Sequence, residues 1–361
     1  MKPKILALYL PQFHPFPEND EWWGKGFTEW TNVGKARPLF RGHYQPRVPA
    51  DLGYYDLRLP SVREQQAELA REAGVTAFCY WHYWFGGRRL LADVFQEVLD
   101  SGKPDFPFCL AWANHTWRAV GCTAGNDDKR ILIEQVYPGI EDAKAHFQYL
   151  LTAFRDERYV KIDGKPFLFI FDGPALPQIY IDYFREASVA AGFPGIYLVT
   201  NIGNEVKVDD MLKRGYSAVT YSNIMGHAKR GETFFDKCVK NVKGLILNRP
   251  KNLHDYRKIY RGFITDIDRN EHVVPQIIPQ WDHSPRGGYK TLILNHASPE
   301  YFAKHVRMAM EAIKDKPEEH QILMLKSWNE WAEGNYMEPD LKFGKGYIKA
   351  LRQVLDEYKD K

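Results

Sequence analysis

Cysteine is scarce in this chain of 361 residues. The four present, Cys79, Cys109, Cys122 and Cys238, show no Cys-x-x-Cys spacing, so neither a structural zinc site nor a dithiol redox centre is suggested. Charge of one sign is missing as well. Lys and Arg number 49 against 46 Asp and Glu, a net charge of +3. That is too small to argue for nucleic acid, and no aromatic-plus-basic RNA-binding motif is present. No Gly-x-Gly-x-x-Gly follows a strand and no Gly-x-x-x-x-Gly-Lys-Ser/Thr occurs, which disfavours a doubly wound nucleotide-binding fold. No histidine pair has the His-Glu-x-x-His or His-x-His spacing, so no metal and no other cofactor is expected. No apolar stretch approaches the ~20 residues that span a bilayer. The start, Met1-Lys2-Pro3-Lys4-Ile5, enters a strand without the apolar segment and cleavage site of a signal peptide, and the expected compartment is the cytoplasm.

What the chain has in abundance is aromatic side chains, at 14% with 10 Trp and 21 Tyr. Apolar runs predict strands at Ile5 to Leu10, Thr76 to Tyr80, Phe108 to Trp112, Phe167 to Phe171, Tyr197 to Thr200, Ala218 to Tyr221, Val274 to Pro279 and Ile322 to Lys326. Helical periodicity fills the gaps at Ser61 to Ala73, Asp93 to Ser101, Glu141 to Arg155, Pro177 to Ala191, Ser298 to Lys314 and Gly346 to Lys359. Ser61 reads as an N-cap with Gly74 past the end, and Ser298-Pro299 as a cap followed by an N1 proline. Eight strands alternating with helices predict an α/β fold, a (β/α)8 TIM barrel with long βα loops forming the cleft, in one domain over 1–361.

Polar and aromatic residues gather after each predicted strand, where such a barrel builds its site. The expected substrate contacts are His14 after the first; Tyr80, His82, Tyr83 and Trp84 around the end of the second; and Trp112, Asn114 and Trp117 at the third. Asp172, Asn201 and Tyr221 follow from the fourth to sixth, Gln280 and Trp281 from the seventh, and Asn329 and Tyr336 from the eighth. An aperiodic insertion over 15–55, rich in Pro, Gly and Trp, reads as a lid and adds Trp22, Trp23, Glu29 and Trp30. A second insertion over 227–261 carries ten Lys or Arg against three acids. It reads either as a solvated basic helix or as a surface meeting anionic lipid or a lipid-linked glycan.

The last strand opens into Trp328-Asn329-Glu330-Trp331-Ala332-Glu333-Gly334, two carboxylates three residues apart among indoles and an amide. Paired carboxyl groups can divide acid and base work across a glycosidic bond, and ring faces stack on sugars. Glu330 and Glu333 are therefore the catalytic candidates, with an oligo- or polysaccharide as substrate; a capped strand end with a solvated acidic turn is the alternative. Spacing alone does not fix the distance between the carboxyl groups. Oligomeric state is not encoded in any motif.

The segments Tyr9-Leu10-Pro11-Gln12-Phe13-His14-Pro15, Asn19 to Val33, Tyr80 to Phe85 and Trp328 to Gly334 resemble the WbsX group of polysaccharide-biosynthesis proteins, with similarity running from Lys4 to about Leu355. That group resembles in turn glycoside hydrolase family 99, the endo-α-mannosidases and endo-α-mannanases, chiefly in the Asn-Glu-Trp-x-Glu-Gly segment and the barrel. The resemblance implies a metal-independent barrel acting with retention on an α-linked manno-configured glycan, mannose or rhamnose. In it Glu330 takes the proton of the 2-hydroxyl, Glu333 protonates the leaving oxygen, and a 1,2-anhydro sugar is the intermediate. A glycosyltransferase of O-antigen or capsular polysaccharide assembly and a noncatalytic glycan-binding barrel are the alternatives.

Overall fold

Strands covered on both faces by their own barrel and by helices carry near-continuous apolar sequence, and each of the eight apolar runs is a parallel strand. The computed structural model describes residues 2–119, 130–203, 207–221, 224, 250 and 252–359. The barrel strands are β1 (Lys4–Tyr9), β2 (Ala77–Phe85), β3 (Phe108–Trp112), β4 (Lys165–Ile170), β5 (Tyr197–Ile202), β6 (Ala218–Tyr221), β7 (Val273–Ile277) and β8 (Ile322–Leu325). Each pairs with its sequence neighbour. Strand β1 meets β8 at Ala7 and Leu325 and β2 at Tyr9 and Tyr80, which closes the ring and leaves no open edge.

The helices are α1 (Pro17–Trp23), α2 (Glu29–Lys35), α3 (Pro60–Ala73), α4 (Ala92–Ser101), α5 (Ile140–Phe154), α6 (Gln178–Ala190), α7 (Val208–Arg214), α8 (Pro299–Ile313) and α9 (Gly346–Glu357). Helix α8 starts as its sequence indicates, with Ser298 as N-cap and Pro299 at the first position. Helix α3 does not. Leu59 is its N-cap and Pro60 its first residue, so Ser61 lies inside the helix; a proline sits well at that position because its missing N–H is one that a first turn leaves unpaired anyway. Helix α7, only seven residues long, has no counterpart among the expected elements.

The 15–55 insertion contains α1 and α2, and its far end is tied down. His43 and Gln45 each place a side-chain nitrogen 2.7 Å from Asp282, and Arg47 bonds Gln280 and the Gly334 carbonyl. Of the basic residues expected over 227–261, Arg257, Lys258 and Arg261 fall within the described residues and the rest lie outside them, as do Cys122 and Cys238. Arg257 is paired with Asp255 at 2.7 Å. Cys79 and Cys109 are buried opposite each other on β2 and β3 as free thiols. Among the described residues no helix is long and apolar enough to cross a membrane.

Candidate active site

Beyond β8 the chain is fixed by polar contacts before it reaches the glutamates. Asn329 Oδ1 accepts from the Leu10 N–H at 2.7 Å and its Nδ2 donates to the Leu10 carbonyl at 3.0 Å, lashing this segment to the exit of β1. Asn329–Glu330 and Asn335–Tyr336 then pair as a short antiparallel ribbon around the turn Trp331–Glu333. Gly334 ends that turn at φ 55°, and a Cβ there would lie 2.8 Å from Asp282 Cβ and 2.9 Å from its carbonyl oxygen, so only glycine fits without a shift. Trp331 stacks on Tyr336 at 3.8 Å and donates its indole N–H to Glu338 at 2.6 Å. Glu338 also accepts from Tyr55 and Gln66, and burial still pushes its carboxyl up to about 7. The turn that carries the two glutamates therefore rests on a packed base.

Glu330 and Glu333 line one cavity of about 680 Å³ at the carboxyl ends of the strands. Their surroundings differ. Glu330 is 7% exposed and accepts the Trp81 indole N–H at 2.9 Å. Burial first, and the neighbouring Glu333 charge second, raise its carboxyl to about 7. Burial acts on Glu333 in the same sense, but the His283 imidazole, 3.6 Å away, and the Arg286 guanidinium, bonded at 2.7 Å, more than offset it and hold this carboxyl below the ordinary range.

Arg286 joins two carboxylates. Its other nitrogen lies 2.7 and 2.9 Å from the oxygens of Glu29, a side chain at the start of α2 that is 1% exposed and also accepts the Ala332 N–H at 3.2 Å. The first turn of α2 thus braces both the cation beside Glu333 and the backbone between the two glutamates. Asp282 anchors the single turn Ser284–Gly287 that carries Arg286, accepting the Ser284 N–H at 3.1 Å. Burial opposes charge on Asp282, yet His43 and Arg47 hold its carboxyl at about 2.

Of the expected substrate contacts, Trp22, Trp23, Glu29, Tyr83, Trp117 and Trp281 line this cavity together with Glu330 and Glu333. Trp22 and Trp117 meet edge to face at 6.0 Å, and Trp117 packs against Tyr83 at 4.9 Å. Others are turned away by the two-residue alternation of a barrel strand. On β2, Trp81 and Tyr83 face the cavity, while Tyr80, His82 and Trp84 face the helices. Tyr80 packs on Tyr9 and Phe95. His82 approaches His146 of α5 at 2.8 Å, and Trp84 stacks on that same ring at 4.6 Å and donates to Asp142. Trp112 on β3 is fully buried against His146.

Asn114 ties the exit of β3 to that of β4, accepting the Asp172 N–H at 2.7 Å and donating to its carbonyl. Trp30 bonds the Tyr55 carbonyl and packs on Phe13 and Trp331. His14 lines a separate hollow of about 460 Å³ with Arg89 and Asp93. Gln280 and Tyr336 are buried in the anchoring network through Arg47 and Asp340, and Asn329 in the lashing to β1. Asp172, Asn201 and Tyr221 are not among the described residues that line the cavity. The cavity also holds Trp81, His283, Arg286 and Lys326, which are not among the expected contacts. Strand alternation alone could have selected Trp81. Among the described residues no group of three or more His, Cys, Asp or Glu is placed to hold a metal ion.

These positions separate two kinds of tryptophan. Trp117→Ala is expected to weaken glycan affinity by about 1–3 kcal/mol, the range for loss of a stacking ring, with little change in melting temperature. Trp84→Ala is expected to cost about 3–5 kcal/mol of stability instead. Titration with a bound oligosaccharide and denaturant unfolding of both variants check this pair. A stable Trp84→Ala protein with impaired binding would contradict it.

The fold is one known from carbohydrate-active barrels. It matches the GH99 endo-α-mannosidase of Bacteroides thetaiotaomicron over 99% of this chain and 97% of that one, with a TM-score of 0.59 and 14% identity. A solved structure described as a glycoside hydrolase-like protein aligns over 98% of this chain and 94% of that chain, at a TM-score of 0.61 and 15% identity. At such identities the likeness is one of fold. The sequence itself matches the family described as Glycosyltransferase WbsX over residues 5–351, and the chain belongs to that family. A relative from Xanthomonas campestris pv. campestris, described as uncharacterized protein WxcX, is 35% identical over 360 residues, 99% of this chain and 50% of the relative. The chain spans about half the length of the curated relatives it matches.

Proposed function

We propose that this chain is a carbohydrate-active enzyme that works at the glycosidic carbon through Glu330 and Glu333, as a retaining, endo-acting hydrolase of an α-linked manno-configured glycan. The observation that carries the reading is that two carboxyl groups line one ring-walled cavity in opposite charge environments. A site that must give one proton and take another needs that difference. The environments favour Glu330 as the proton donor and Glu333 as the base, the reverse of the division that the family 99 resemblance implies. With a 2-hydroxyl trans to the leaving group, as in an α-mannoside or α-rhamnoside, its oxygen attacks C1 as its proton passes to Glu333. The bond to the leaving oxygen breaks with its electron pair, and that oxygen takes the proton of Glu330. Water then opens the 1,2-anhydro ring with the proton transfers reversed.

This division has a pH signature. Glu330 acts while protonated, so kcat/KM should fall as pH rises through about 7. Glu333 acts while ionised, and its carboxyl lies below the ordinary range, so the acid limb should appear only well below pH 4.5. A rate profile measured on one defined oligosaccharide checks both limbs. Activity that rises through neutrality would restore the opposite roles.

Glycosyl transfer is the second reading, favoured by the description of the family to which the chain belongs. Product that appears only when an activated donor is supplied would establish it over hydrolysis.

A further inference from the structure

Lys326 follows β8 directly, four residues before Glu330, and lines the same cavity as both glutamates. Its ammonium lies 4.4 Å from the centre of the Trp281 ring. Among the described residues no carboxylate lies within 4.0 Å of that nitrogen, and no group accepts a hydrogen bond from it. Its charge acts on Glu330 and Glu333 from beyond contact distance, drawing both carboxyls down, and the other neighbouring charges are engaged among themselves. Arg286 is shared by Glu29 and Glu333, each at 2.7 Å, and Asp282 is held by His43 and Gln45. Trp281 supports the cation through its ring face, and with the ammonium resting there that face is not open to a sugar.

An ammonium without a contact partner relies on hydration. A bound glycan displaces that hydration, and an ammonium whose carboxylate neighbours lie beyond contact distance is penalised on binding unless the ligand supplies a direct partner. An anionic group on the ligand reverses the sign of that effect, because a charge-assisted contact replaces the lost hydration. We infer that the glycan unit held at the Glu330–Glu333 pair carries an anionic oxygen group, the carboxylate of a uronic acid or the phosphate of a glycosyl phosphate, and that Lys326 receives it. The inference rests on the carbohydrate reading above and names the substrate class within it.

Calorimetric titration of a Glu333→Gln background, which prevents turnover, tests it with three probes: an α-mannobiose, a hexuronic acid disaccharide and mannose 1-phosphate. At least one anionic probe should bind about tenfold more tightly than the neutral one, a difference of about 1.4 kcal/mol, and its advantage should shrink in high salt. Which probe gains identifies the source of the charge. Adding Lys326→Met should abolish the preference, and Lys326→Arg should keep most of it; melting curves of both report folding. Equal binding of all three probes, or a preference that survives Lys326→Met, overturns the inference and leaves the carbohydrate reading standing. Silence with all three overturns both.

Discussion

Arg286→Met should destabilise the protein by about 3 kcal/mol at neutral pH, the lower end of what removing one partner from a buried ion pair costs. The lower end applies because a quarter of the Arg286 side chain is open to the cavity, while Glu29 behind it is 1% exposed. Without the guanidinium, two carboxylates face each other across the turn at Ala332. Glu29, whose carboxyl burial already raises, would titrate higher still in the folded protein. A carboxyl raised in this way costs stability above its folded pKa and costs nothing below its unfolded one, so the deficit should shrink as pH is lowered towards 5. Denaturant unfolding at pH 7 and pH 5 measures both effects. Adding Glu29→Gln to Arg286→Met should return part of the loss, because the pair is coupled. Wild-type stability of Arg286→Met at pH 7 would show that the Glu29, Arg286 and Glu333 chain does not brace the site.

Glu333→Gln is expected to behave differently. The amide can still accept the Arg286 hydrogen bond but loses the charge attraction that holds the Glu333 carboxyl down, so some stability should be lost at neutral pH, whereas kcat should fall by about 10²–10⁴-fold with the loss of a positioned proton acceptor. Steady-state kinetics beside melting curves separate the two. A variant that keeps most of its kcat would remove Glu333 from the chemistry.

The contrast shows how the sequence relates to the site. All eight strands were legible because a parallel barrel strand is buried on both faces and reads as an apolar run. The carboxylate turn was legible because charged residues directly follow such a run. The side to which each ring points was not. From Tyr80 to Phe85 every position is aromatic, so the alternation that sends Trp81 and Tyr83 inward and Tyr80, His82 and Trp84 outward leaves no polar-apolar signal. Arg286 was hidden for another reason. It sits in one helical turn without periodicity, and its partner Glu29 is 257 residues away along the chain. Glu29 was visible only as one polar residue in a ring-rich insertion, and its burial beneath the turn that carries Glu330 and Glu333 follows from where the barrel brings α2. Helix α7 escaped because seven residues hold too few turns for a periodic pattern.

The most direct measurement is mass spectrometry of products from a panel of α-mannose, rhamnose and uronic acid oligosaccharides, with and without glycosyl phosphate donors, run on wild type beside Glu330→Gln and Glu333→Gln. Shortened or extended glycans from the wild type alone are the predicted result, since both carboxyl groups are required. Wild-type protein that binds the panel yet leaves every mass unchanged, or products that persist in either variant, would contradict catalysis at this pair.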